Sequence, residues 1–171
     1  MISFQHDILP LKDKLYRLAL HITLNPAEAE DVVQETMIKV WNRRDSWNTI
    51  DNIEAFCLTI CRNLALDKTR YMGNQNLSLD DQTTLPSEGS VGGQSITPEE
   101  QTIQRDRVNM VRLLIDQLPE KQRSCMQLRD IEEKSYKDIA AILNITEEQV
   151  KVNIFRARQT IRERFKKADN L

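Results

Sequence analysis

The stretch SYKDIAAILNITEEQVKVNIFRARQTIRERFKK, residues 135–167, limits what this chain can fold into more tightly than any other. It predicts two helices joined by a tight turn. Ser135 can cap the first helix, with Asp138 three residues on. Asn144 stands where a left-handed turn residue is wanted, and asparagine tolerates positive φ. Thr146 opens the second helix and Gln149 completes a capping box. Ile139, Ala140, Leu143, Ile145, Val150 and Ile154 are spaced to bury one face between the helices. The second helix then turns basic, with Lys151, Arg156, Arg158, Arg162, Arg164, Lys166 and Lys167 against only Glu163. A helix-turn-helix with a positive second helix can place that helix in a DNA major groove. An ordinary helical hairpin with a solvated basic face has the same spacing. On the DNA reading, Glu147, Glu148, Gln149, Lys151 and Asn153 in the first turns meet base edges. Arg156 and Arg158 lie further along, where they suit phosphates.

The rest of the composition supports an all-α chain. Hydrophobic residues make up 40% of the 171 positions, so a core can be buried, and aromatics are only 5%. No apolar run reaches the ~18 residues of a transmembrane helix. The start, MISFQHDILPLKDK, lacks a basic segment followed by an apolar one, so no signal peptide and a cytoplasmic location are expected. Cys57, Cys61 and Cys125 fit no zinc spacing, and core packing is the expected role. There is no Gly-rich phosphate loop, nucleophile elbow or ordered Ser/His/Asp set, so no catalytic residue, metal or cofactor is expected.

A net charge of −2 hides an asymmetry. Residues 1–70 carry nine basic and ten acidic side chains, residues 71–104 none and five, and residues 105–171 fifteen and eleven. The middle segment holds all four glycines. It reads as a flexible acidic linker between two small helical domains, at 5–70 and 105–168. In the first domain, Ile8, Leu11, Leu15, Leu18 and Ile22 make one apolar stripe. Pro26 suits the first turn of a second helix, whose acids precede its bases. Ile53, Phe56, Ile60 and Leu64 mark a third helix, with Cys57 and Cys61 beside the stripe. In the second domain, Val108, Val111, Leu114, Ile115 and Leu118 form a stripe ended by Pro119. Cys125, Leu128 and Ile131 are expected to face inward after it.

Two further clusters stand out. Asp31, Gln34 and Glu35 share one helix face, which is either a solvated acidic surface or a contact for a basic partner. Trp47 sits in a polar loop near Arg62, Asn63, Lys68 and Arg70. It can either stack on an unpaired base or fold over the domain core.

The blocks DVVQETMIKVW, AFCLTICRNLALDKTR and LPEKQRSCMQLRDIEEKSYKDIAAILNITEEQVKVNIFRARQTIRE together resemble the extracytoplasmic-function (ECF) group of bacterial sigma factors, in the family's order and with a linker where the family has one. The resemblance implies a subunit that binds core RNA polymerase, recognises promoter DNA and helps to melt it. It makes residues 5–70 sigma region 2 and residues 105–168 sigma region 4. It puts Asp31, Gln34 and Glu35 on the polymerase clamp. Trp47, Arg62, Asn63, Lys68 and Arg70 would then serve the −10 element. Glu147, Glu148, Gln149, Lys151, Asn153, Arg156 and Arg158 would serve the −35 element. An anti-sigma factor is an implied partner, and no membrane insertion is implied. The competing reading is a stand-alone helix-turn-helix regulator. One departure from the family lies at Asp130–Lys134 (DIEEK), which has no glycine in the turn before the helix-turn-helix. In the free chain the two domains could pack together and hide both DNA surfaces.

Overall fold

The computed structural model describes residues 1–75 and 98–169, with side chains for 1–70 and 101–169. The expected acidic linker therefore lies mostly outside the described residues. The described residues form helices and turns without strands. Short helical turns at Phe4–Ile8 and Leu9–Leu11 lead into α1 (Lys12–Thr23), α2 (Pro26–Asn42) and α3 (Ile53–Gln75), with a tight turn at Arg44–Thr49 before α3. Then follow α4 (Pro98–Asp116), α5 (Glu120–Met126), a wide helical turn at Gln127–Ile131, α6 (Tyr136–Leu143) and α7 (Glu147–Asp169).

Local chemistry explains where these helices start and stop. Leu24 takes a left-handed φ of 56° and ends α1 by donating its N–H to the Leu20 carbonyl at 2.8 Å. Asn25 then caps α2, accepting from the N–H groups of Ala27 and Glu28 at 3.0 and 3.2 Å. Pro26 fills the first position, where a missing N–H costs nothing. Pro98 does the same for α4. α4 thus begins, and α3 ends, inside the 71–104 segment expected to be linker.

α1, α2 and α3 pack on one another as a three-helix unit. Ile8, Leu15, Leu18, Ile22, Val32, Val40 and Leu58 are fully buried there. Each such side chain contributes roughly 1.5–3 kcal/mol of hydrophobic stabilisation. α5 and α6 pack on α7, and α4 closes over it. Leu128, Ile139, Ile142, Leu143, Val150 and Ile154 form the core on that side. The two units are not separate in this structure: α3 packs on α6 and α1 on α5, so their apolar residues join in one cluster.

That second contact explains α3. Cys57, Leu58, Cys61, Leu64 and Ala65 are its most buried residues, while Ile53, Phe56 and Ile60 are only partly covered. A helix with neighbours on two sides needs a wider apolar belt than a single stripe. The three cysteines are free, buried thiols. Burial pushes each of them up to about 12.

Two inward positions expected from periodicity are corrected. Val108 is half exposed, because α4 presents Met110, Val111, Leu114 and Ile115 instead, with Leu118 buried just beyond its end. Ile131 is also half exposed. The turn before it is wider than an α-turn, with the Glu132 N–H reaching back to the Gln127 carbonyl at 3.1 Å, and the added residue rotates Ile131 outward.

Candidate polymerase and promoter interfaces

The helix-turn-helix is built from paired caps. Ser135 accepts from the Asp138 N–H at 3.1 Å. Asn144 adopts φ 54° and ψ 49°, the left-handed conformation its position requires. Thr146 and Gln149 exchange hydrogen bonds of 2.9 and 3.1 Å, a complete capping box. Val150, Ile154 and Ala157 bury one face of α7. Glu147, Glu148, Gln149, Lys151, Arg156 and Arg158 are exposed, and Asn153 is partly so.

Their chemistry is not uniform. The Gln149 Oε1 is spent in the cap, which leaves its NH2 group outside that bond. Asn153 donates from Nδ2 to the Gln149 carbonyl at 2.7 Å, which leaves its oxygen outside that bond. Lys151 sits 5.5 Å over the Tyr136 ring, whose ring also carries Arg129 at 4.4 Å. Arg158 is paired with Asp130, whose hydrogen bond raises its pKa above the ordinary value. Arg156 forms no such described pair.

On α2, Asp31, Gln34 and Glu35 are exposed together, as their spacing required. The face is not purely acidic. Lys68 on α3 reaches Glu28 at 3.5 Å, Glu35 at 3.6 Å and Asp31 at 4.0 Å. Burial disfavours the lysine charge, but Glu35, Glu28 and Asp31 outweigh it and hold its pKa above the ordinary value. Lys68 thereby ties α3 to α2. Ile38 and Trp41 extend the exposed α2 face with apolar surface. They follow Asp31 by seven and ten residues, a helical spacing that was available in the sequence.

Around Trp47 the structure separates buried from exposed side chains. Trp47 is only 6% exposed. Its Nε1–H donates to the Val40 carbonyl at 3.0 Å, and its ring meets Trp41 edge-to-face at 6.1 Å. Of the two arrangements the sequence left open for Trp47, folding over the domain core fits its burial and the backbone partner of its indole N–H. Trp41 is the exposed aromatic, with Arg44 stacked 4.7 Å above it and Phe4 against its edge. Arg62 is also buried, 3.8 Å from Glu120 of α5. Asn63 and Arg70 are exposed on α3. The domains thus pack together, but they do not hide both surfaces: the first turns of α7 stay open, while Arg62 is covered. Among the described residues no group of His, Cys, Asp or Glu could hold a metal, and no helix is long and apolar enough to cross a membrane.

Comparison with known proteins follows the same division. Residues 8–74 match the family model for sigma-70 region 2, and residues 109–161 match that for sigma-70 region 4. The chain is 30% identical to the ECF RNA polymerase sigma factor SigW of Bacillus subtilis over 94% of its own length and 88% of the relative's. It is 31% identical to the ECF RNA polymerase sigma factor SigE of Mycolicibacterium smegmatis over 95% of its own length, and spans 62% of that relative. Among solved structures it resembles the sigma factor RpoE from Bartonella quintana, crystallised with the anti-sigma factor NepR. The TM-score is 0.76 at 24% identity, covering 97% of this chain and 98% of that one. With the sigma models matched in both domains and relatives of this identity aligned along nearly its whole length, the chain belongs to the ECF family of RNA polymerase sigma factors.

Proposed function

We propose that the chain is a promoter-specificity subunit that binds core RNA polymerase, recognises the −10 and −35 elements and promotes melting, without catalysing a reaction itself. The observation that carries this reading is the pairing of two exposed surfaces of opposite character on separate domains. One is a cap-locked basic helix with its first turns free. The other is a helix face bearing Asp31, Gln34 and Glu35. On this reading residues 8–74 serve the polymerase and the −10 element, and residues 109–161 the −35 element.

The acidic and amide groups of Asp31, Gln34 and Glu35 suit a basic polymerase surface, and Ile38 and Trp41 add apolar contact beside them. Glu147, Glu148, Lys151, Asn153 and the Gln149 NH2 group face the −35 bases. Arg156 and Arg158 neutralise phosphates, which sets affinity rather than sequence choice. Asn63 and Arg70 attend the −10 strand, joined by Arg62 once Glu120 releases it. Trp47 shapes the loop from beneath. Work with polymerase and chromosomal DNA places the protein in the cytoplasm. The anti-sigma partner in the Bartonella quintana structure suggests a partner of that class here.

Mixing the purified protein with core polymerase and promoter DNA tests the reading. A ternary complex that needs all three components is expected. Tight sequence-specific DNA binding by the protein alone would instead support a stand-alone regulator.

A further inference from the structure

The five residues DIEEK, from the end of the wide turn to the start of α6, make contacts in two directions. Glu132 is buried, and its side chain is 2% exposed. It accepts a two-pronged hydrogen bond from Arg17 of α1, at 2.7 Å from Nε and 3.2 Å from Nη2. Gln127 adds a third donor at 3.3 Å. Lys134 pairs with Glu54 of α3, which also accepts from Lys14 at 3.0 Å. The Arg17–Glu132 and Lys134–Glu54 pairs cross between the domains. Asp130, at the other end of the same turn, holds Arg158 of α7. Between them Glu133 has a φ of 56°, the left-handed region that favours glycine. The turn is fixed by Arg129, which donates to the Lys134 carbonyl at 2.9 Å and stacks on the Tyr136 ring that Lys151 also approaches. A glutamate in this conformation persists because its neighbours on both sides are bonded elsewhere.

We propose that Asp130–Lys134 is an intramolecular latch: Glu132 and Lys134 clasp the N-terminal domain while Asp130 withholds Arg158, so the packed form must open before both promoter elements can be held. This rests on the reading of the two domains as −10 and −35 binders. Sites about 25 base pairs apart, at about 3.4 Å per pair, are separated by about 85 Å. A packed chain of this length is about 40 Å across. One packed body cannot reach both. The Arg62 guanidinium points the same way. It is covered by the packing, and its Nε has no hydrogen-bond partner among the described residues. Opening would free it for DNA. Polymerase binding then selects the open form, and its apparent affinity is scaled by the open fraction.

Energy transfer between dyes at Lys12→Cys and Glu163→Cys tests the latch in the full chain, since the native cysteines are buried. In Glu132→Gln with Glu54→Gln, transfer is expected to fall, and affinity for core polymerase to rise about tenfold as the open fraction grows. The exchanged pair Arg17→Glu with Glu132→Arg is expected to sit nearer wild type than Glu132→Arg alone. Helicity by circular dichroism checks folding. Should the double variant unfold, wild-type transfer between low and high salt decides, and it is expected to fall as the pairs are screened. Transfer unchanged in a folded variant, or flat in salt where the variant unfolds, overturns the latch. Reduced transfer with unaltered polymerase affinity overturns its regulatory role. A wild-type chain that never binds core polymerase, while transfer responds as expected, refutes the sigma reading and leaves the intramolecular latch standing.

Discussion

Replacing Trp47 by alanine removes an indole that is 6% exposed and hydrogen-bonded to Val40 at 3.0 Å. Truncating a buried tryptophan leaves a cavity and costs about 3–5 kcal/mol. The edge-to-face contact with Trp41 accounts for about 0.5–1.5 kcal/mol beyond area. Small domains are stable by only about 5–15 kcal/mol, so Trp47→Ala should unfold a large share of their margin. Trp47→Phe separates the contributions. It keeps most of the ring and loses one hydrogen bond worth about 1 kcal/mol. The Val40 carbonyl keeps a partner, the Arg43 N–H at 3.2 Å, so no buried acceptor is orphaned. The expected cost is about 1–2 kcal/mol. Urea unfolding followed by far-UV circular dichroism should show the midpoint falling with the slope unchanged. Open-complex formation per folded Trp47→Phe molecule should stay close to wild type. The reasoning fails if Trp47→Ala loses less than about 0.5 kcal/mol while open-complex formation is abolished. That result would mean the ring acts on DNA and not in the core.

Asp31→Ala and Gln34→Ala should each weaken polymerase binding about tenfold, roughly 1.4 kcal/mol, with thermal stability unchanged, as read in a titrated pull-down. Unaltered affinity would remove α2 from the interface. Arg156→Ala should weaken binding to all −35 sequences and lower the salt slope by about one. Asn153→Ala should alter the preferred bases, and a uniform loss from both changes would mean α7 does not read sequence. Cys57, Cys61 and Cys125, with pKa values pushed up to about 12 by burial, should resist alkylation at pH 8 until the chain unfolds. Because folding raises these values, the stability they confer is full below the ordinary thiol range and declines as pH climbs through it. Rapid modification of native protein would show that the helices open locally.

What could be read from the sequence was local. The caps at Ser135 and Thr146, the left-handed Asn144 and the Gln149 box each depend on residues within four positions of one another. The exposure of Asp31, Gln34 and Glu35 follows from helical spacing in the same way. What escaped depends on partners far along the chain. Arg62 is covered because Glu120 of another domain lies against it. Lys68 is engaged by carboxylates more than thirty residues earlier. For Trp47 the sequence left stacking and core packing open, and only the packed domain shows its acceptor at Val40. The missing glycine in DIEEK was visible as a departure, but its reason, bonding of Glu132 and Lys134 to α1 and α3, required the tertiary structure.

Run-off transcription by core polymerase across a promoter library measures promoter-directed initiation most directly. With the protein added, initiation should begin at a subset of templates sharing paired upstream elements at a fixed spacing, and Asp31→Ala should reduce it. Initiation that is unchanged by the protein on every template, alongside specific DNA binding by the protein alone, would contradict it.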